Sequence, residues 1–202
     1  MLFGFVTVLV MILVMIYALL RWGVLRAFCA CCNVLAAGLV AFNFFEPAAA
    51  SLDPKLEGTS LHGCEDAVCL VALFGATFGL LHLLTWSLAR KRPAYHPGLQ
   101  YSGAAVFGLL AGYLLSGFLL CALHTLPLGP YLPGFQANID PDARGVRLRR
   151  VLPPDRAWLA LMHRAGLGPF ARRGPTFDAD GSFEFRYQRL RRQAGPAPAK
   201  AE

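Results

Sequence analysis

The chain has 202 residues, of which 56% are hydrophobic and only 15% are charged. Soluble globular proteins carry about 25% charged residues, so this composition excludes a disordered protein and argues against an ordinary soluble enzyme. The charge is also unevenly distributed, because residues 1–127 hold 6 Lys or Arg and residues 128–202 hold 13. An apolar block followed by a basic tail is typical of a membrane protein.

Four apolar stretches are long enough to cross a bilayer as helices, which takes roughly 20 residues each. They run over residues 2–20, 27–45, 67–89 and 102–126. The first lacks a basic leading segment and a small-residue cleavage site, so we expect a retained helix rather than a secretory signal peptide. The sequence therefore predicts an all-α integral membrane protein with a four-helix transmembrane domain over residues 1–126.

The distribution of charge between these helices predicts their orientation. The basic residues near the helix ends are Arg21 and Arg26 after helix one, and Arg90, Lys91 and Arg92 after helix three. The segment after helix two is acidic instead, with Glu46, Asp53, Glu57, Glu65 and Asp66. Because cytoplasmic loops are enriched in Lys and Arg, we expect an N-out and C-out arrangement in the bacterial cytoplasmic (inner) membrane. The basic tail begins at Arg144, well past the last helix, where charge has little influence on orientation.

A small extracytoplasmic segment is predicted over residues 127–192, followed by a disordered tail over residues 193–202 that is rich in Ala and Pro. Within it, residues 155–167 mix apolar and basic side chains. That pattern predicts an amphipathic helix that is too short to span and is suited to the membrane surface. A turn at Asp180-Gly181 then precedes a short alternating run of Phe183, Phe185 and Tyr187.

Two short motifs stand at the entries to helices two and four. Arg21, Gly23 and Arg26 form an Arg/Gly-x-x-Arg turn, and residues 103–112 form a Gly-rich segment with Phe-Gly-x-x-x-Gly. Over residues 1–126 the chain resembles the colicin V production protein (CvpA) family of small bacterial inner-membrane proteins, and its tail is similar to the longer variants of planctomycete-like bacteria. The resemblance implies an envelope scaffold or an accessory factor in toxin secretion or envelope homeostasis.

The chain departs from that family at positions that are commonly charged. Gln100 and Tyr101 stand where the family commonly has Asp-Arg. Ala111 replaces an Arg before the last motif glycine, and Ala27 replaces an acidic residue after the second Arg. A family activity that needs those charges is therefore not expected here.

Small residues recur every four positions on one face of predicted helix four, at Ala104, Gly108, Gly112 and Ser116. Helices in lipid associate through close backbone approach, which small side chains permit. Packing within the bundle, homodimerisation through this face and a pore lining are the three interpretations. Gly75 and Gly79 form a second small pair, which favours contact between helices three and four.

Polar groups inside the predicted helices are the candidates for function, namely Asn33, His82 and His124. The two histidines differ in depth by about 20 Å at roughly 1.5 Å per residue, so they are not expected to share a haem iron. The cysteines are expected to serve as small packing residues. A disulfide from Cys121 to Cys64 or Cys69, and thiol redox catalysis, are the alternatives.

The tail contains two patterns that suggest a ligand. Residues 178–181 begin like a calcium loop, but position 189, where an acidic residue should close the loop, is Arg. The basic run over residues 186–192 favours anionic lipid head groups over nucleic acid. We therefore expect no cofactor, no metal and no enzymatic activity.

The expected partners are the lipid bilayer, an envelope or secretion protein, and a second copy of the chain through helix four. The envelope scaffold is the leading function. The alternative is a small oligomeric channel or transporter subunit, in which Asn33 and His82 would face a hydrated cavity. A membrane thiol redox enzyme is third.

Overall fold

The computed structural model describes residues 2–56, 63–88, 95–126 and 154–166, together with Phe183 and Tyr187. The regular structure of these residues is helical throughout. Its elements are α1 (Leu2–Tyr17), a π-helical turn (Ala18–Trp22), α2 (Gly23–Leu56), α3 (Glu65–Leu88), α4 (Pro97–Thr125) and α5 (Pro154–Gly166).

Three continuous helical stretches are long and apolar enough to cross a membrane. They are Gly4–Pro54, Glu65–Ser87 and Pro97–Thr125. The first has 51 residues, far more than the roughly 20 that one crossing needs. The predicted class, an all-α protein of the multi-pass membrane type, agrees with these helices.

The first apolar stretch changes direction at Gly23. This glycine has φ +73°, in the left-handed region that a side chain rarely adopts, and it ends the π-helical turn. A Cβ at this position would also collide with the side-chain amide of Gln100. Glycine is therefore required here both by the backbone and by the neighbouring start of α4.

From Gly23, α1 and α2 lie along different parts of α4. On α1, Met15 lies beside Gly108 and Met11 lies beside Gly112, so α1 is antiparallel to α4. On α2, the ring of Phe28 contacts that of Phe107, with centroids 5.2 Å apart. Farther along, Phe42 contacts Phe118 at 6.3 Å, so α2 is parallel to α4. The two helices thus form a hairpin with α4 between its arms.

The third helix packs mainly on α2 and runs antiparallel to it. Arg26 near the start of α2 lies over the ring of Trp86 near the end of α3. Contact between α3 and α4 is slight and includes the stacked rings of Phe74 and Phe118, 3.8 Å apart. The third helix is therefore at the edge of the bundle.

Two helix ends differ from the predicted ones. α2 continues to Leu56 instead of ending at residue 45, although Pro47 and Pro54 lie inside it. A proline removes one backbone hydrogen bond, but the alanines after Pro47 favour helix and Ala49 is buried in the core. α4 begins at Pro97 rather than residue 102, because the His96 ring accepts a hydrogen bond from the Gly98 N–H at 3.2 Å.

The amphipathic helix is present as α5, close to its predicted bounds of 155–167. Its apolar face is not left for the membrane surface, however. Trp158, Leu159 and Met162 are buried against α2 and α4. The expectation of a surface-lying helix is therefore wrong for this face, because the bundle itself supplies the apolar partner.

The two described residues of the distal tail also join the core. Phe183 and Tyr187 are helical and buried, with ring centroids 4.9 Å apart. Phe183 lies 6.0 Å from Phe42 between ring centroids. The third aromatic residue of the alternating run, Phe185, lies outside the described residues.

Candidate functional site

Polar side chains gather at the two opposite ends of the bundle. The basic end is the Gly23 turn with Arg21 and Arg26, next to the last turns of α3. The acidic end comprises the first turn of α3, with Glu65 and Asp66, and the start of α5, with Asp155. Each end has its own set of contacts.

Asn33 is buried in α2 and faces α3 near the basic end. Its side-chain amide donates to the hydroxyl of Thr85 at 3.1 Å, and that hydroxyl donates to the backbone carbonyl of His82 at 3.1 Å. The structure thus brings together Asn33 and the turn that carries His82. The link runs through the His82 backbone, so the imidazole is left for other contacts.

The imidazole of His82 lies among aromatic rings. It stacks on Phe78 with centroids 5.7 Å apart and rings 14° from parallel. It lies 6.0 Å from the ring of Trp22 and 6.0 Å from that of Trp86. On the face of Trp86, the guanidinium carbon of Arg26 lies 4.1 Å from the ring centroid, a cation–π contact. We call Trp22, Arg26, His82 and Trp86 the basic-end cluster.

The indole of Trp22 connects the basic-end cluster to the end of α1. Its ring packs edge-on against Tyr17, 5.1 Å between centroids. Its Nε1 atom is buried and has no hydrogen-bond partner among the described residues. Buried indole N–H groups usually have an acceptor, and the buried Trp158 Nε1 likewise has none among the described residues.

At the acidic end, α4 and α5 are joined by a polar pair. His124 Nε2 lies 3.4 Å from Asp155 Oδ2, and the Cys121 thiol donates to the Asp155 backbone carbonyl at 3.7 Å. Burial raises the pKa of Asp155, but hydrogen bonds from His124 and the Arg156 backbone, with the charge of His124, outweigh it. The net pKa lies below its ordinary value, which favours the carboxylate.

A second polar contact fastens the tail to α3. The hydroxyl of Tyr187 donates to the Asp66 carboxylate at 2.7 Å. The tail residue and the first turn of α3 are 121 positions apart in sequence. His124 and His82 have separate partners at opposite ends, as the predicted difference in depth requires.

Trp158 of α5 fits into a gap between two glycines that the sequence analysis did not single out. A Cβ on Gly38 of α2 would lie 2.5 Å from one ring carbon of Trp158, and one on Gly117 of α4 would lie 2.9 Å from its Cβ. Trp158 is only 1% exposed. An isolated glycine in an apolar helix costs about 1 kcal/mol relative to alanine, which was the available signal for a close approach.

The small residues of α4 lie in the interior of the bundle. Ala104, Gly108, Gly112 and Ser116 are buried. Added Cβ atoms would lie 2.8 Å from the Ala18 Cβ at Gly108 and 2.7 Å from the Met11 Cα at Gly112. Helix α1 occupies this face, so packing within one chain is the interpretation that the geometry favours.

The other small pair behaves differently. Gly75 and Gly79 have nothing within 4 Å of an added Cβ. The contact with α4 expected through them is therefore absent. The ring of Phe74, one position before Gly75, makes a contact with α4 instead.

The six cysteines are free thiols, and Cys31, Cys69 and Cys121 are buried. The alternative disulfides from Cys121 to Cys64 or Cys69 are not formed. Among the described residues, no group of three or more His, Cys, Asp and Glu side chains could hold a metal ion. The calcium-like residues 178–181 and the basic run over 186–192, apart from Tyr187, lie outside the described residues.

Comparison with known proteins gives no match, because no family model, no curated protein and no solved structure is significantly similar to the chain.

Proposed function

We propose that this chain is a four-span scaffold of the bacterial cytoplasmic membrane, a CvpA-like accessory factor in secretion or envelope homeostasis rather than an enzyme. The observation that carries the proposal is the composition of the core. Side chains from α2, α3, α4 and α5 interlock there, including the rings of Phe42, Phe74, Phe118 and Trp158. A core filled by side-chain packing makes a rigid body, and a rigid body suits a protein that binds partners through its outer surface.

The hairpin at Gly23 supports four crossings. Residues 2–22 precede Gly23 and follow α4 in one direction, and α2 follows α4 in the other. The first arm has about the length of one crossing, which takes roughly 20 residues, and α2 with 34 residues exceeds it. With α3 and α4, this gives an even number of crossings and both termini on one side.

The separation of charge supports the N-out and C-out orientation. Arg21 and Arg26 lie at one end of the bundle, whereas Glu65, Asp66 and Asp155 lie at the other. Because basic residues are retained on the cytoplasmic side, the basic end is assigned to the cytoplasm and α5 to the outside.

The structure of the acidic end favours the scaffold function rather than the function of a pore. Its apolar groove between α2 and α4 is filled by α5, and Ala160, Leu161 and Arg164 on the outer side of α5 are exposed. A docked helix with a free outer face can present a binding surface to an envelope protein without any movement of the bundle.

The alternative is a small oligomeric channel or transporter subunit. It is favoured by the two partly buried hydrogen bonds that connect Asn33 to Thr85 and Thr85 to the backbone of His82, between α2 and α3. The open face of Gly75 and Gly79 would allow another copy to approach that side of the bundle.

Purification in mild detergent followed by mass measurement tests the two functions. The scaffold predicts a complex of fixed stoichiometry with another protein, weakened by Arg164→Glu on the outer face of α5. Arg21→Glu, at the opposite end, is the control and should leave that complex intact. A homo-oligomer that conducts ions in liposomes, with no second protein, would instead establish the channel and overturn the scaffold.

A further inference from the structure

Two parts of the C-terminal region cover the acidic end, and different helices hold them. Helix α5 docks on α4 and α2, with Trp158 in the gap between two glycines. Phe183 and Tyr187 reach α3 as well, because the Tyr187 hydroxyl donates to the Asp66 carboxylate at 2.7 Å. The two parts together connect α2, α3 and α4, although α3 and α4 contact each other only slightly.

One side chain, Phe42 of α2, belongs to both docking sites. Its ring lies 6.2 Å from that of Trp158 and 6.0 Å from that of Phe183, measured between centroids. All three rings are buried. Because protein interiors are close-packed, the loss of one neighbour leaves one side of the Phe42 ring without contacts and disturbs its packing on the other. A shared buried neighbour is the condition under which two sites are energetically coupled.

The length of α5 makes its docking an all-or-none event. It has 13 residues, and isolated helices shorter than about 12–15 residues are marginal in water. Its apolar residues Trp158, Leu159 and Met162 are buried because the bundle supplies the facing surface. Undocking therefore removes most of what keeps α5 helical, so docking and folding occur together. Such an element has two states rather than a continuous range of positions.

We propose that α5, Phe183 and Tyr187 form one C-terminal cap that opens and closes as a unit over the acidic end. The ring of Phe42 couples the two docking sites. Opening uncovers the apolar groove between α2 and α4 and at the same time releases Asp66 of α3. A partner that captures one part of the cap thereby also releases the other, since coupling between two sites is reciprocal. The cap is independent of the scaffold function, because it rests on contacts within the chain.

Hydrogen exchange of the α5 amides, measured by mass spectrometry on the full chain in lipid nanodiscs, tests the cap. Tyr187→Phe keeps the ring and removes the hydroxyl that bonds Asp66 on α3. It should nevertheless speed exchange in α5 by more than about twofold, which corresponds to the weakest coupling usual for residues in contact. Tyr17→Phe is the matched control. It removes a hydroxyl next to Trp22 at the basic end and should leave α5 exchange unchanged.

Phe42→Leu tests the route of the coupling. It puts a smaller side chain between the two docking sites, so Tyr187→Phe should have little further effect on α5 exchange in that background. Trp158 emission, recorded with Trp22→Phe and Trp86→Phe in place, is the second readout. It should shift toward that of exposed indole in Tyr187→Phe and not in Tyr17→Phe.

Three results would overturn the cap. Unchanged α5 exchange in Tyr187→Phe would mean that the two parts dock independently. Faster exchange of the α1 amides together with those of α5 would mean a general loss of stability instead of cap opening. An effect of Tyr187→Phe that is equally large with Phe42 and with Leu at that position would exclude coupling through the ring.

Discussion

His124 of α4 and Asp155 of α5 form the polar contact that closes the acidic end, with Nε2 and Oδ2 3.4 Å apart. The two side chains are only 7% and 16% exposed. They lie beside the Trp158 packing site, so the polar pair and the apolar gap both hold α5 against the bundle. Docking of α5 should therefore depend on the charge of the carboxylate.

Acid should loosen α5. The lowered pKa of Asp155 means that its carboxylate stabilises the docked state above the ordinary pKa of 3.8. This contribution is lost as the pH falls from about 3.8 through the lower folded pKa, because the native carboxylate is then protonated. Trp158 emission, recorded with Trp22→Phe and Trp86→Phe in place, should shift toward that of exposed indole in this range.

Asp155→Asn provides the comparison for that titration. It keeps the shape of the side chain and removes the charge, so α5 should be loosened near neutral pH and should respond little to further acid. An acid transition of the same size in Asp155→Asn would assign the effect to other groups, such as the Asp66 carboxylate that Tyr187 contacts.

The gap that holds Trp158 should not tolerate added volume. Gly38→Val places branched carbons where the indole ring lies and should cost about 1–3 kcal/mol, the usual range for overpacking. Gly117→Val should do the same from the side of α4. Thermal unfolding in detergent and Trp158 emission measure the loss.

Gly75→Ala is the control for that gap, and it is matched by Gly38→Ala, whose Cβ alone already meets the Trp158 ring. Gly75 is also an apolar-helix glycine, but nothing lies within 4 Å of its added Cβ. Alanine is the better helix former by about 1 kcal/mol, so this variant should keep or raise the melting temperature. Equal losses for Gly38→Ala and Gly75→Ala would mean that backbone flexibility, and not the indole, explains both glycines.

The apolar helices could be predicted from the sequence because length and hydropathy alone specify them. Their ends could not, since they depend on local contacts. The His96 ring starts α4 five residues early, and burial of Ala49 carries α2 past Pro47. The same limit applied to α5, whose amphipathic pattern was visible but whose partner surface, Gly38 and Gly117, forms only when α2 and α4 adjoin.

The basic-end cluster was only half predictable. His82 and Asn33 stood out as polar residues in apolar helices, which is a property of the sequence itself. Trp22 and Trp86 are ordinary interfacial residues in sequence, and their meeting on either side of His82 results from the antiparallel packing of α2 and α3 after the turn at Gly23. Contacts between residues that are far apart in sequence leave no pattern in the sequence around either residue.

The orientation can be measured with reporters that are active on one side of the membrane only. A periplasmic reporter fused after Glu202 should be active, and a cytoplasmic reporter inserted at Lys91 should be active, because the basic end is expected inside. A reporter of each kind at the opposite position serves as the control. Cytoplasmic activity after Glu202 would reverse the assignment of the two ends.

The last prediction concerns the contact between α1 and α4. A Cβ on Gly112 would lie 2.7 Å from the Met11 Cα, so Gly112→Leu must push the backbone of α1 away from α4. Because the covered face lies within one chain, the variant should lose thermal stability in detergent while its oligomeric mass stays constant. Val106→Leu is the control, since Val106 is 61% exposed and lies off the small-residue face. If Gly112→Leu instead changed the oligomeric mass and left the melting temperature alone, the face would pack between chains. Helix α1 would then have to leave its position on α4 whenever two copies associate.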